Sequence, residues 1–247
     1  MEKVNIKDSI ERLQSDEEYY GEFGSQFLHN SDIYTFLNNP QGYGTPKEDT
    51  IPMMFGRAFH EQVLFNNTNQ DYIDASTRNT KIYKESLIEY GENLMLLKKE
   101  YDDIVSLKNK SQSHKIVSDI LNDPNIKKEV PNLNTLTDSE IIWACKADII
   151  TDDYVYDLKS TSSLNGFTKS ARMYNYDSQA YIYSTMFQKP MRFIVVEKGS
   201  GAIGLFDTSD EAYERGREKV LQAEAMYKKY FLYNEDDIAN YFKYDAI

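Results

Sequence analysis

From Ile141 to Thr161 the chain reads IIWACKADIITDDYVYDLKST, two β-forming runs on either side of Asp152-Asp153. Side chains along a strand alternate between two faces. A tight turn at Asp152-Asp153 gives opposed residues whose numbers sum to 305, which sets Asp148 across from Asp157. One face then carries Ile141, Trp143, Cys145, Ala147 and Ile149 with Tyr154, Tyr156 and Leu158, and belongs in a core. The other carries Lys146 and Asp148 with Asp157 and Lys159. Opposed Cβ atoms lie about 4.5–5.5 Å apart. Carboxylates that close repel unless a cation sits between them or one is protonated. With Lys159 beside them, the two acids can hold Mg2+ through oxygen ligands while waters complete the octahedron. The plain alternative is a solvated sheet face with an ion pair of little energetic weight.

Around this hairpin the pattern is mostly helical. Residues 5–20 read as an acidic amphipathic helix with Ile6, Ile10 and Leu13 at helical spacing. Residues 31–38 form a short helix capped by Ser31 and stopped before Pro40. Pro52 opens a helix to about residue 66, with Phe55, Phe59, Val63 and Leu64 on its apolar side. Residues 80–122 read as two or three helices, and from Ile126 the period changes. Helix returns over 165–187, followed by short strands at Phe193–Glu197 and Ala202–Phe206 around a Gly-Ser-Gly turn. A long helix from about Ser209 to Phe231 and an acidic C-terminal helix complete the chain. This order predicts an α/β (α+β) fold, with one mixed central sheet flanked by helices and a helical N-terminal part.

Composition bounds the function. A length of 247 residues with 40% hydrophobic side chains fits one large domain, or one domain with appendages, with a real core. No apolar run is long enough for a membrane span, and the polar N-terminus has no signal-like apolar stretch, so the expected location is the cytoplasm with no membrane partner. A single cysteine, Cys145, excludes an internal disulfide and a four-cysteine zinc or iron–sulfur site, and reads as a small buried hydrophobe. The net charge of −12 argues against coating nucleic acid by bulk positive charge, but leaves room for a local basic groove.

Asp148, then Asp157-Leu158-Lys159, resembles the D…(D/E)-x-K signature of the PD-(D/E)XK nuclease superfamily. Upstream, Gly56-Arg57-Ala58-Phe59-His60 resembles the GxxxH motif of its RecB-like branch, and downstream Gln179-Ala180-Tyr181-Ile182-Tyr183 resembles its QxxxY motif. The segments SDIYTFLNNPQGY and MMFGRAFHEQVLF are similar to phage and prophage RecE-like exodeoxyribonucleases, the exonuclease VIII and lambda-exonuclease type. The resemblance runs from about residue 25 to 200, and Ala147 stands where the family often has proline.

The resemblance implies a restriction-endonuclease-like core and a single nuclease domain over 1–247. Its parts would be a helical region over 1–125 carrying GRAFH, a catalytic sheet core over 126–208, and C-terminal helices over 209–247. It implies that Asp148, Asp157, His60 and the Leu158 carbonyl ligate Mg2+, with Mn2+ as substitute. Lys159 would act on the attacking water and the phosphate, with Gln179 and Tyr183 supporting; apart from the resemblance, Glu129 precedes the hairpin and is a further candidate carboxylate. Arg57, Lys169 and Arg172 are the candidate DNA contacts; Arg78 and Lys81 are weaker ones, and His29 and His114 have no supporting pattern. The implied activity is exonucleolytic hydrolysis of linear duplex DNA from a 5′ end, leaving a single-strand product, for phage-type recombination. The implied assembly is a homo-oligomer that hands its product to a single-strand annealing protein. The rivals are a structure-specific or restriction-type endonuclease on the same core, and a non-catalytic recombination or anti-defence scaffold.

Overall fold

The computed structural model describes residues 5–46 and 48–243. Helices α1 (Ile6–Arg12) and α2 (Asp16–Tyr20) replace the single helix expected over 5–20. Leu13 and Tyr19 are both buried against Phe27, Leu133 and Ala144. Six residues turn a helix by about 240°, so one straight helix could not bury both on the same side. Helix α3 (Asn30–Asn38) starts where the Asp32 carboxylate accepts the His29 N–H at 2.8 Å, with His29 as the cap two residues before the expected Ser31. Helix α4 (Ile51–Phe65) begins at Thr50, whose hydroxyl oxygen accepts the Met53 N–H. It ends at Asn66 in the left-handed conformation that such a C-cap favours.

Strands β1 (Tyr72–Ile73) and β2 (Leu96–Leu97) form a small parallel pair around α5 (Lys81–Tyr90), with its own cluster of Ile73, Tyr83, Met95 and Leu97. Helices α6 (Lys98–Ser113) and α7 (Lys115–Leu121) lead into the main sheet. That sheet is β3 (Lys127–Thr135), β4 (Ile142–Ile150), β5 (Val155–Thr161), β6 (Met191–Glu197) and β7 (Ile203–Asp207), in that spatial order. Only β5 and β6 run parallel. Parallel neighbours need a long crossover; here it is α8 (Phe167–Met173) and α9 (Tyr176–Phe187). Helix α10 (Asp210–Tyr227) packs on α9 and runs into a π-turn over Lys228–Leu232. A Cβ on Gly216 would lie 2.2 Å from the Asp177 carbonyl, so the contact between these two helices requires glycine there. The acidic C-terminal helix reduces, within the described residues, to a single turn at Ile238–Asn240.

The sheet has helices on both faces. Trp143, Cys145, Ala147, Val155, Phe193 and Val195 meet α3, α9 and α10. Ile149, Tyr156, Leu158, Ile194 and Val196 meet α4, α6 and α7. The hairpin register is the expected one, with Ile149 opposite Tyr156 and Ile150 opposite Val155. The division of faces is not. Ile149, Tyr156 and Leu158 lie across the sheet from Trp143, Cys145 and Ala147, because strict alternation fails at Asp148. Edge strand β3 escapes the pattern-based reading because Pro131, Asn132 and Asn134 break its apolar alternation; an edge position tolerates proline.

A buried carboxylate ties α10 to the sheet. Glu224 accepts from Trp143 Nε1 at 2.9 Å, Thr137 Oγ1 at 2.6 Å and Ser139 Oγ at 2.9 Å. Glu224→Ala is expected to lower stability by roughly 2–4 kcal/mol, because it strands buried donors. Urea unfolding with an unchanged m-value checks this, and a midpoint equal to that of the wild type would contradict it.

Candidate active site

The sheet opens at Asp148. On one side, β3 pairs Lys128 with Ile149 and Val130 with Ala147, but Glu129 and Asp148 between them are unpaired. Glu129 adopts φ 49°, a left-handed conformation uncommon for a residue with a side chain. On the other side, the β4–β5 ladder stops at Ile149 and Tyr156. The Asp148 carboxylate takes over the hydrogen bonding there: Oδ2 accepts the Leu158 N–H at 2.7 Å.

Four groups converge on this opening from different layers. From α4, His60 brings Nε2 to 2.5 Å from the Leu158 carbonyl oxygen, where it must donate, and Nδ1 to 3.4 Å from Asp148 Oδ2. From β3, Glu129 joins them. The ligand atoms of His60, Glu129 and Asp148 lie within 4.8 Å of one another, the arrangement expected of a metal-holding group. From α9, Gln179 Nε2 donates to Asp157 Oδ1 at 2.5 Å. From β5 itself, Lys159 Nζ lies 2.7 Å from Asp157 Oδ2 and 4.9 Å from the centre of the Tyr176 ring. Asp148 and Asp157 lie just beyond the last paired rung of the β4–β5 ladder and face opposite layers: Asp148 meets His60 of α4 and Asp157 meets Gln179 of α9.

The electrostatics are those of an acid cluster short of positive charge. Burial pushes the Asp148 carboxyl up to about 6; His60 opposes the rise and Asp157 adds to it. Burial, then the charge of Asp148, pushes Glu129 up to about 8. Burial works against the Lys159 ammonium, but Asp157, Tyr176 and Asp148 outweigh it and hold its pKa above the ordinary lysine value. Asp157 Oδ2 is buried and receives no well-directed hydrogen bond. The imidazole of His60, the carboxylates of Asp148 and Glu129 and the under-satisfied buried oxygen of Asp157 fit a hard divalent cation.

The other candidates fall in different places. Tyr183 is buried in the core on α9, and its hydroxyl donates to the Lys146 carbonyl at 3.2 Å, so it steadies β4 two residues before Asp148. Arg57 is exposed and paired with Asp49 at 2.5 Å. Lys169 and Arg172 are exposed on α8. Arg78 is a structural residue that pairs with Glu100 at 2.6 Å and donates to the Met95 carbonyl. Lys81 is exposed and paired with Glu85. His29 contacts Tyr19 and the Gly24 carbonyl. Cys145 is buried.

The sequence reading did not single out Tyr176 or Asp16. Tyr176 precedes Gln179 by three residues, so helical spacing could have flagged it. Asp16 pairs with the buried Lys146, whose ammonium also lies 3.9 Å from Glu129. That contact depends on how α2 docks, and no local signal carries it.

Residues 30–233, which contain every candidate in the opening except Asp16, match the family described as a PDDEXK-like domain of unknown function (DUF3799). No curated protein matches the chain. A crystal structure from Eubacterium rectale described as a candidate exonuclease superposes with a TM-score of 0.60 at 11% identity, covering 94% of this chain and 95% of that one. A phage-related exonuclease from Haemophilus somnus 129PT gives a TM-score of 0.36 at 12% identity, over 85% of this chain and 96% of that one. At such identity the first likeness speaks to the fold alone, and the second overlap is too loose to argue from. The family match spans the whole parted sheet, its carboxylates and its lysine, and the chain belongs to the PDDEXK-like family.

Proposed function

We propose that this protein is a divalent-metal-dependent deoxyribonuclease that hydrolyses phosphodiester bonds from the ends of linear duplex DNA. Mg2+ is its working ion and Mn2+ a substitute. The observation that supports this best is the convergence of Asp148, Asp157, the Leu158 carbonyl and Lys159 where the β4–β5 ladder parts. Asp148, Asp157 and the Leu158 carbonyl would hold the ion, with His60 and Glu129 on its α4 and β3 sides. The chemistry a divalent ion supplies when bound is a more acidic coordinated water and neutralised phosphate charge.

The chain's own residues do the rest. Leu158 N–H fixes the Asp148 carboxylate and Gln179 fixes that of Asp157, so both acids are preorganised. Lys159 is kept charged and presents donors to the attacking water and to a non-bridging phosphate oxygen. The Tyr176 ring confines its ammonium.

The 5′ polarity, the single-strand product, the homo-oligomer and the annealing partner follow from the phage-exonuclease resemblance. In a chain of net charge −12, DNA affinity would rest on the metal and on a few exposed cations, Lys169 and Arg172 foremost. Binding should then weaken steeply with salt.

Incubation of end-labelled linear duplex with Mg2+, beside a closed circular duplex, tests the reading. The expected result is release of mononucleotides from the linear form, with the 5′ label freed first, and an intact circle. Cutting of the circle would favour an endonuclease, and an inert protein would favour a scaffold.

A further inference from the structure

The corner between α8 and α9 displays apolar side chains at the edge of the site. Met173 is 57% exposed and Tyr174 is 58% exposed. The Tyr174 ring lies 6.2 Å from the Tyr176 ring, centre to centre, and the Tyr176 ring in turn carries the Lys159 ammonium at 4.9 Å. The exposed tyrosine is therefore one aromatic ring away from the lysine of the site. Lys169, Arg172 and Met173 stand three and four residues apart on α8, so they share a face. Lys169 and Arg172 are exposed on it.

This display is tied down from below. Asn175 adopts φ 58°, the left-handed conformation that asparagine adopts more readily than most residues with a side chain. Its carbonyl accepts from Ser178 Oγ at 2.9 Å and from Asn30 Nδ2 at 3.3 Å. Lys219 Nζ donates to Asn175 Oδ1 at 2.8 Å, to Asp177 Oδ1 at 2.7 Å and to the Arg172 carbonyl at 3.3 Å. Tyr176 stacks on Phe193 of β6 with ring centres 5.5 Å apart. Burial alone would turn Tyr174 and Met173 inward. Instead a polar network fixes the turn that holds them out, beside two cations in an acidic protein.

We propose that Tyr174, with Met173 beside it, is a base-stacking step for the DNA strand whose phosphate lies at Lys159, with Lys169 and Arg172 meeting neighbouring phosphates of that strand. This deepens the nuclease reading and rests on it for the phosphate at Lys159. The ligand is a single strand because only an unpaired or terminal base offers its π-face. Stacking is indifferent to which base is presented, as a non-specific nuclease requires.

The test compares Tyr174→Ala, Tyr174→Leu and Tyr174→Trp with wild type, and with Tyr90→Ala as an exposed-tyrosine control on α5. Two quantities are read: KM against kcat for linear DNA, and Kd for a short fluorescein-labelled single-stranded oligonucleotide, measured by anisotropy. For the Ala and Leu variants KM and Kd should rise about tenfold, the loss expected for one stacked base, with the change falling on KM rather than kcat. The Trp variant should restore both, and Tyr90→Ala should behave as wild type. Wild-type values for Tyr174→Ala, or a Trp variant no better than Leu, would overturn the step while leaving the nuclease reading intact. If the wild type cleaves no DNA, the nuclease reading fails and the oligonucleotide arm decides alone: weaker binding by the Ala and Leu variants supports the step, and equal binding overturns it.

Discussion

Lys159→Ala is expected to lower the rate of DNA hydrolysis at saturating metal by about a hundredfold or more, as losses of a catalytic charge or proton donor do. A protonated lysine has no lone pair and cannot ligate a metal. Its contribution must come through the water or the phosphate, and the Asp157 carboxylate at 2.7 Å and the Tyr176 ring at 4.9 Å fix where the ammonium can act. Because Asp157, Tyr176 and Asp148 together outweigh burial and hold its pKa above the ordinary value, it stays charged through neutral pH. Removing that positive charge beside two acids should leave Mn2+ affinity equal or tighter by calorimetric titration. Normal turnover by a folded Lys159→Ala protein would contradict the role assigned to it.

Asp148→Asn should move two measurements in opposite senses. Hydrolysis should fall by about a thousandfold, because losing a proposed ligand weakens the hold on the ion that would supply several kcal/mol of transition-state charge stabilisation. Metal-free thermal stability at pH 8 should rise. The folded pKa of Asp148 is raised to about 6 and that of Glu129 to about 8, each by burial first and by its acidic neighbours after. Unfolded, the two groups titrate near 4. The metal-free fold therefore binds more protons than the unfolded chain between about pH 4 and pH 8, and its stability declines as pH climbs through that window.

Asparagine is neutral at every pH and keeps an oxygen to accept the Leu158 N–H, so it relieves the repulsion without stranding the donor. The gain in Tm should shrink as pH falls toward 4. Added Mn2+ should raise the Tm of wild type by mass action and that of the variant much less. A variant less stable than wild type at pH 8 would show that the acids are compensated in some other way.

The hairpin was legible in the sequence because period-two alternation around Asp152-Asp153 suggests a register, conditional on the turn length, and that register is the one found at Ile149–Tyr156 and Ile150–Val155. The partition of its faces was not, because alternation assumes a continuous ladder. At Asp148 a side chain replaces the ladder, and both neighbouring strands part from it. Gln179 and His60 were reachable because short motifs on single helices carry them. Glu129 could be named only as a nearby acid, since its left-handed backbone is what aims it and nothing in KKEVPNLNT announces that conformation. Asp16 and Tyr176 reach the site through tertiary packing, Asp16 by way of Lys146. The Tyr183 hydroxyl holds the backbone of β4 at Lys146.

We assign the opening beside Asp148 and Asp157 as a metal-dependent phosphodiester-hydrolysing centre. The initial rate of linear-duplex hydrolysis in Mg2+ by wild type and by Asp157→Asn tests it most directly, with matching circular dichroism showing that both are folded. Asparagine preserves the shape of the side chain next to Gln179 while removing the charge that faces Lys159 and the metal. The expected result is Mg2+-dependent hydrolysis by wild type, abolished by chelation, and no hydrolysis above background by the variant. A folded Asp157→Asn protein that degrades the duplex at the wild-type rate would contradict it.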